Sequence, residues 1–305
     1  MNLRDELIKS LINANISSPR LEADIILRHC APNYPIFSDE EYRRAKEFLA
    51  RRISHEPIDK IIGIKGFYKY DFIVSKDVLS PRPDTETLVE SALELVNKND
   101  KFNIIDLGTG SGCILLSILK ECVNATGIGI DISSKALDIA IQNAQKLEVT
   151  KRVSFYNKSW LELDKSFGLF DIIVSNPPYI PKNEIDDLDI EVKEYDPRGA
   201  LTDENDGLDC YRQIANIAPL ILKDEGYLLL EVGYNQSEDV CNIFSKNNFK
   251  IHKIVPDLSG INRCIILKKW VAKKNITYII NVFLEQDLWL VFLYFLFFSL
   301  IDFIM

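Results

Sequence analysis

The chain has 305 residues, 47% hydrophobic and 27% charged, which is enough apolar material for a packed core and excludes a disordered chain. A net charge of −9 and a pI near 5.0 argue against extended non-specific nucleic-acid binding. Six scattered cysteines (Cys30, Cys113, Cys122, Cys210, Cys241, Cys264) form no C-x-x-C pair and no zinc spacing. Buried free thiols in a reducing cytoplasm are expected, and no metal site. The start, residues 1–6, is acidic with no apolar run, so no signal peptide is expected.

Residues 1 to about 62 carry helical spacing. Leu3, Leu7, Ile8, Leu11 and Ile12 predict one amphipathic face, and Pro19 opens a second helix bearing Leu21, Ile25, Ile26 and Leu27. Ser38 with Glu41 three residues on predicts a capped third helix reaching Ile53. Arg43, Arg44, Lys46, Arg51 and Arg52 are interleaved with Glu40, Glu41 and Glu47, which reads as a solvated helix face more than a basic patch. From residue 63 the period shortens, and residues 67–74 predict a hairpin. It leads into Pro81-Arg82-Pro83-Asp84-Thr85-Glu86, where Asp84 or Thr85 is placed to cap the following helix, residues 87–96. That loop reads either as a rigid linker or as a roof over a site.

Next come an apolar strand ending at Leu107, the turn Gly108-Thr109-Gly110-Ser111-Gly112, and a helix over residues 113–120. Strand, glycine turn and helix make a ligand cradle, because backbone approaches closely and the helix start offers N–H donors. The following strand ends at Asp131, placed to accept hydrogen bonds from ribose hydroxyls. Asp131 alone suits NAD equally well. The spacing G-x-G-x-G, in place of G-x-G-x-x-G, favours a single nucleoside such as S-adenosylmethionine. Trp160, after the next strand, suits either an adenine face or the core.

Ile172-Ile173-Val174-Ser175-Asn176-Pro177-Pro178-Tyr179 reads as a buried strand that stops abruptly, since proline has no N–H to continue a ladder. Asn176 is thereby held at a strand's carboxyl end. Its side-chain oxygen and nearby backbone carbonyls can accept from a planar –NH2 group, with Tyr179 as a flat packing face. Most Asn-Pro pairs are plain turns, but Asn-Pro-Pro-Tyr after a strand is more specific. Residues 180–207 form a polar, acidic insertion expected to line a substrate channel. A helix over 208–222, a strand over 227–232, a helix over 237–247 and strands over 250–255 and 264–268 continue the α/β alternation.

With these residues in place, the chain resembles the HemK/PrmC family of release-factor glutamine methyltransferases over residues 1 to about 268. The likeness rests on Ser18-Pro19-Arg20-Leu21-Glu22-Ala23, Glu56-Pro57-Ile58 and the Pro-Arg-Pro-Asp-Thr-Glu loop. It continues in Asp106 to Gly112, Ser175 to Ile180, Asp206-Gly207-Leu208 and Leu230-Glu231-Val232-Gly233. It implies an α/β fold: a Rossmann-like seven-stranded S-adenosylmethionine-dependent methyltransferase domain (83–269), preceded by a small helical substrate-recognition bundle (1–65) and a β-hairpin linker (66–82). It further implies that Gly108, Thr109, Gly110, Ser111, Gly112, Asp131, Trp160 and Asn176 contact S-adenosyl-L-methionine. Asn176, Pro177, Pro178 and Tyr179 would hold the glutamine of a release factor's Gly-Gly-Gln loop, with Asn176, Pro177 and Tyr179 acting in the transfer. A cytoplasmic monomer without direct nucleic-acid contact is expected. Asp196-Pro197-Arg198 stands where the family has Glu-Pro-Arg, a change expected to matter little.

Residues 270–305 depart from the family. Leu288 to Ile301 is almost wholly apolar and Asp302 interrupts it; counted to Met305 the stretch has 18 residues, at the short edge of the roughly 17–25 that a membrane helix needs, with lysines ahead of it. A disrupted reading frame is the preferred reading and a membrane anchor the lesser one. Two rivals stand beside the family reading. One is a DNA or RNA amino-methyltransferase, since an exocyclic amine suits the same acceptors. The other is a nucleoside-binding or membrane-associated remnant without activity.

Overall fold

The computed structural model describes residues 2–270. The apolar tail, and both readings of it, lie outside the described residues from residue 271 on. Among the described residues no helix is long and apolar enough to cross a membrane.

Three helices open the chain: α1 (Leu3–Asn13), α2 (Pro19–Cys30) and α3 (Asp39–Ile53). The expected box closes α3, with the Ser38 hydroxyl accepting from the Glu41 N–H and the Glu41 carboxylate accepting from the Ser38 N–H. The bundle core is Leu3, Leu7, Leu11, Ala23, Ile26, Leu27 and Leu49. Two expected core residues turn outward, Ile12 at 55% and Leu21 at 57% exposure. On α2 the inner place beside Leu21 goes to Glu22, because Arg52 on α3 meets it there with two guanidinium nitrogens. Arg52 also reaches Glu191 at 2.6 Å, so it is a buried bridge and no part of a solvated face. Removing such a partner from a buried carboxylate would be costly.

A short helix α4 (Ile58–Ile62) leads into the hairpin β1 (Ile64–Phe67) and β2 (Tyr70–Ile73), paired antiparallel with Phe67 opposite Tyr70. After α5 (Glu86–Glu94) the chain alternates through β3 (Asn103–Leu107), α6 (Cys113–Glu121), β4 (Thr126–Asp131), α7 (Ser134–Lys146), β5 (Val153–Asn157) and β6 (Phe170–Ser175). It ends with α8 (Ile190–Lys193), α9 (Asp209–Ile221), β7 (Leu222–Glu231), α10 (Ser237–Ser245), β8 (Phe249–Pro256) and β9 (Asn262–Lys269).

The sheet order is β5-β4-β3-β6-β7-β9-β8, with β5 through β7 parallel and the last two strands antiparallel. Near-continuous apolar runs suit strands buried on both faces. Ile104, Ile172, Val174 and Leu229 pack towards α5 and α6, while Ile105, Ile173, Leu228 and Leu230 pack towards α9 and α10. The chain moves outward from β3 to β4 and β5, then returns on the other side of β3 as β6. That reversal opens a crevice at the carboxyl ends of β3 and β6, where open α/β sheets take ligands.

Candidate active site

A cavity of about 320 Å³ occupies this crevice. Gly108, Gly110, Asp131, Trp160, Asn176 and Pro178 line it, under a roof of residues 77–79 and Pro197, Gly199 and Ala200. Gly108 has a φ of +77° that L side chains rarely adopt, and a Cβ there would meet the Trp160 ring at 3.3 Å. The close approach that the glycine turn suggested is thus to Trp160 as well as to the cavity. Trp160 lines the cavity wall, packs partly buried against the core on the α9 side, and donates its indole N–H to Gln213 at 2.9 Å.

Asp131 accepts the Gly110 N–H on Oδ2 and the Ser133 N–H on Oδ1, each at 2.9 Å. Each carboxylate oxygen keeps a lone pair for a ligand hydroxyl. Burial pushes its pKa up, against those backbone donors. Thr109, Ser111 and Gly112 stand behind the cavity wall and do not line it. The Thr109 hydroxyl donates to Asp106 Oδ2 at 2.7 Å, and Gly112 caps α6. The Ser111 carbonyl accepts from Asn143 at 2.9 Å. Asn143, fully buried on α7, also exchanges two hydrogen bonds with the Ile73 backbone and so brackets the glycine turn to the hairpin. Nothing in its local sequence marks it.

Asn176 donates from Nδ2 to the Thr85 hydroxyl at 3.3 Å, which turns its Oδ1 the other way as an acceptor. Thr85 stands at the N-cap position of α5 as expected, but neither its side chain nor that of Asp84 makes a capping hydrogen bond. Thr85 is buried against Asn176, and Asp84 pairs with Arg263 at 3.2 Å. The Pro-Arg-Pro-Asp-Thr-Glu loop therefore backs Asn176 from outside the cavity lining. Pro177 is buried and Tyr179 partly so, both outside the cavity lining. The Tyr179 carbonyl accepts from Gln236 at 2.9 Å, and Gly207 lies against it so closely that a Cβ would come within 2.3 Å of that oxygen. The Tyr179 hydroxyl faces Glu231 at 3.5 Å, and burial with that neighbouring carboxylate raises its pKa.

Two acids complete this edge of the sheet. Asp106 and Glu231 are both buried, each with one oxygen lacking a protein partner, and desolvation pushes each pKa up to about 7. A third acid, Asp196, holds the roof. Its carboxylate meets Lys60 and Arg82, each at 2.7 Å, and Lys60 also donates to the carbonyls of Ser75 and Val78. Both Lys60 and Asp196 side chains are 2% exposed. Asp196 is thus a hub joining α4, the loop before α5 and the insertion.

A glycine cradle at the switch point, a carboxylate after the second strand and Asn-Pro-Pro-Tyr after the fourth define the class: an S-adenosylmethionine-dependent methyltransferase. A family model described as a methyltransferase domain matches residues 98–283, more than half of the chain. A bifunctional methyltransferase of Rickettsia conorii is 42% identical over 285 residues, covering 82% of this chain and 54% of its own. The release factor glutamine methyltransferase of Fusobacterium nucleatum is 43% identical over 239 residues, 78% of this chain and 67% of that one. That of Agrobacterium fabrum is 38% identical over 275 residues, covering 86% and 94%. The chain belongs to the release factor glutamine methyltransferase family. It spans about half the length of the Rickettsia relative.

The cradle fits S-adenosylmethionine on its own geometry, with open lone pairs on Asp131 and a cavity bounded by an aromatic wall. Replacing Asp131 with alanine is expected to weaken cofactor binding by about 1.5–3 kcal/mol, the range for hydrogen bonds to a charged group. Calorimetric titration of the folded variant measures this, and an unchanged affinity would remove Asp131 from the ribose role.

Proposed function

We propose that the protein transfers a methyl group to the side-chain amide nitrogen of the glutamine in the Gly-Gly-Gln loop of a peptide chain release factor, acting as a cytoplasmic monomer. The observation that carries this reading is Asn176: its amide nitrogen is engaged by Thr85, so its oxygen serves the cavity as an acceptor. S-adenosylmethionine, when bound, supplies an electrophilic methyl and gives up its positive charge.

An amide nitrogen is a poor nucleophile because its lone pair is delocalised into the carbonyl. Asn176 Oδ1 and the Pro177 carbonyl accept hydrogen bonds from its two N–H groups, aim the nitrogen and favour the pyramidal form, and once the sulfur–methyl bond has broken the methylated nitrogen sheds one of these protons to solvent. Positive charge grows on that nitrogen during transfer, so the same acceptors bind the transition state more tightly than the ground state. Tyr179, pinned by Gln236 and Gly207, packs against the flat amide. The helical residues dock the whole factor. Lys46 and Arg51 pair with Glu6 and Glu56, and Arg52 is buried, which speaks against a nucleic-acid role for this helix.

Incubation with labelled cofactor and candidate release factors, followed by mass spectrometry of the Gly-Gly-Gln peptide, should show one added methyl on the glutamine. Methylated adenine in DNA or RNA, with every release-factor glutamine untouched, would transfer the assignment to nucleic acid.

A further inference from the structure

At the carboxyl edge of the sheet, Ser175 on β6 is registered against Leu230 on β7, which places Asn176 and Glu231 as the next neighbours. Glu231 is 1% exposed. Around it stand Asn176, Thr85 and the Tyr179 hydroxyl, the last at 3.5 Å. Asn176 Nδ2 donates to Thr85 Oγ1 at 3.3 Å, and the Thr85 hydroxyl and the Asn176 amide both act as hydrogen-bond donors towards the Glu231 carboxylate. Its Oε2 has no hydrogen-bond partner. Arg263, the nearest cation acting on it, bonds to Asp257 at 3.3 Å and to Asp84 at 3.2 Å and does not pair with Glu231.

A carboxyl buried with one oxygen unsatisfied is costly. A leucine at this position would carry no such penalty. The arrangement makes sense through what the acid does to its neighbours.

We infer that Glu231 is a positioning residue for methyl transfer: directly and through Thr85 it fixes which way the Asn176 amide faces, so that the amide oxygen and not the –NH2 is presented to the acceptor group. An Asn side chain is nearly symmetric in shape, and packing alone does not distinguish its two orientations. A flip would put donors where acceptors are needed and repel the incoming –NH2. In its ionised form Glu231 can only accept, and this sets the direction of the relay: Asn176 gives to Thr85, and both side chains turn their donors towards Glu231. Glutamine at position 231 would be isosteric yet able to donate to Thr85, and the direction would be lost.

The inference rests on the amide-methylation reading for its kinetic arm, so the experiment has a second arm independent of activity. In the nitrogen-15-labelled protein, the Asn176 side-chain amide resonance is identified by its loss in Asn176→Ala. Glu231→Gln and Thr85→Val are each expected to shift it and speed its exchange, while Thr85→Ser, which keeps the hydroxyl, leaves it in place. In turnover of a Gly-Gly-Gln peptide, Glu231→Gln and Thr85→Val are each expected to lower kcat on the order of 10-fold to 100-fold with cofactor Kd unchanged. The double variant should be no worse than either single one, because both break the same relay. An unmoved amide resonance in folded Glu231→Gln, or single losses that multiply in the double variant, would overturn the inference. If the wild-type protein left the peptide unmethylated, the proposed function would fail while the resonance arm still decided the orientation of Asn176.

Discussion

Asn176→Ala is expected to abolish most turnover while lowering cofactor affinity much less. The variant loses an acceptor whose value lies mainly in the transition state, where the amide nitrogen carries positive charge. Loss of one preorganised group at a comparable site costs on the order of 10²–10³ in rate. The fold should survive, because Asn176 follows the strand and the β6 core ends at Ser175, whose hydroxyl donates to the Leu107 carbonyl at 2.6 Å. Asn176→Asp is the sharper variant. It keeps an acceptor of the same size, so partial activity should remain, but it sets a second carboxyl beside Glu231. Like charges there disfavour ionising both, so the residual activity should depend on pH more strongly than in the wild type. Single-turnover kinetics separate the steps; a full loss of cofactor binding with chemistry spared would contradict the assigned role.

Asp196→Ala is the second large effect, and it bears on stability. It strips the anion from Lys60, which is buried with only the Ser75 and Val78 carbonyls left to it. Breaking a buried pair by removing one partner costs about 3–5 kcal/mol, because the remaining charge stays uncompensated. Denaturant unfolding measures that loss. Cofactor affinity should fall as well, since residues 77–79 and 197–200 form the cavity roof and Asp196 ties the two segments together. The paired replacement Lys60→Met with Asp196→Leu should recover much of the stability, as apolar substitutes for buried ion pairs often do. An Asp196→Ala protein as stable as the wild type would show that the hub is dispensable.

The parts of the site that were legible in the sequence share one property: their chemistry is local. Gly108, Gly110 and Gly112 announce a turn because positive φ is forbidden to most residues, and each has it, at +77°, +55° and +80°. Pro177 and Pro178 end a strand wherever they stand. Asp131 follows an apolar run, and its place at the strand's end comes from the run itself. The Ser38–Glu41 box is likewise a matter of three-residue spacing. Alternation of apolar runs with helical periods was enough for a mostly parallel α/β sheet, and the family-specific Pro-Arg-Pro-Asp-Thr-Glu loop narrowed the class further.

Other residues acquire their meaning only through partners far along the chain. Thr85 has the look of a helix cap, yet it serves Asn176, ninety-one positions away. Glu22 and Arg52 carry the pattern of surface charges and lie buried because they meet each other. Asn143 occupies an unremarked helix position and holds the glycine turn to the hairpin across seventy residues. Lys60 and Asp196 are separated by most of the catalytic half, and Glu231 reads as an ordinary acid after a strand. The physical reason is the same in each case. Glycine and proline act through the backbone of their own residue, so sequence by itself determined the turn, the strand stop and the sheet class. A buried charge is stable only beside its counter-charge or donor, and which groups become neighbours was decided by how β3, β6 and β7 lie side by side.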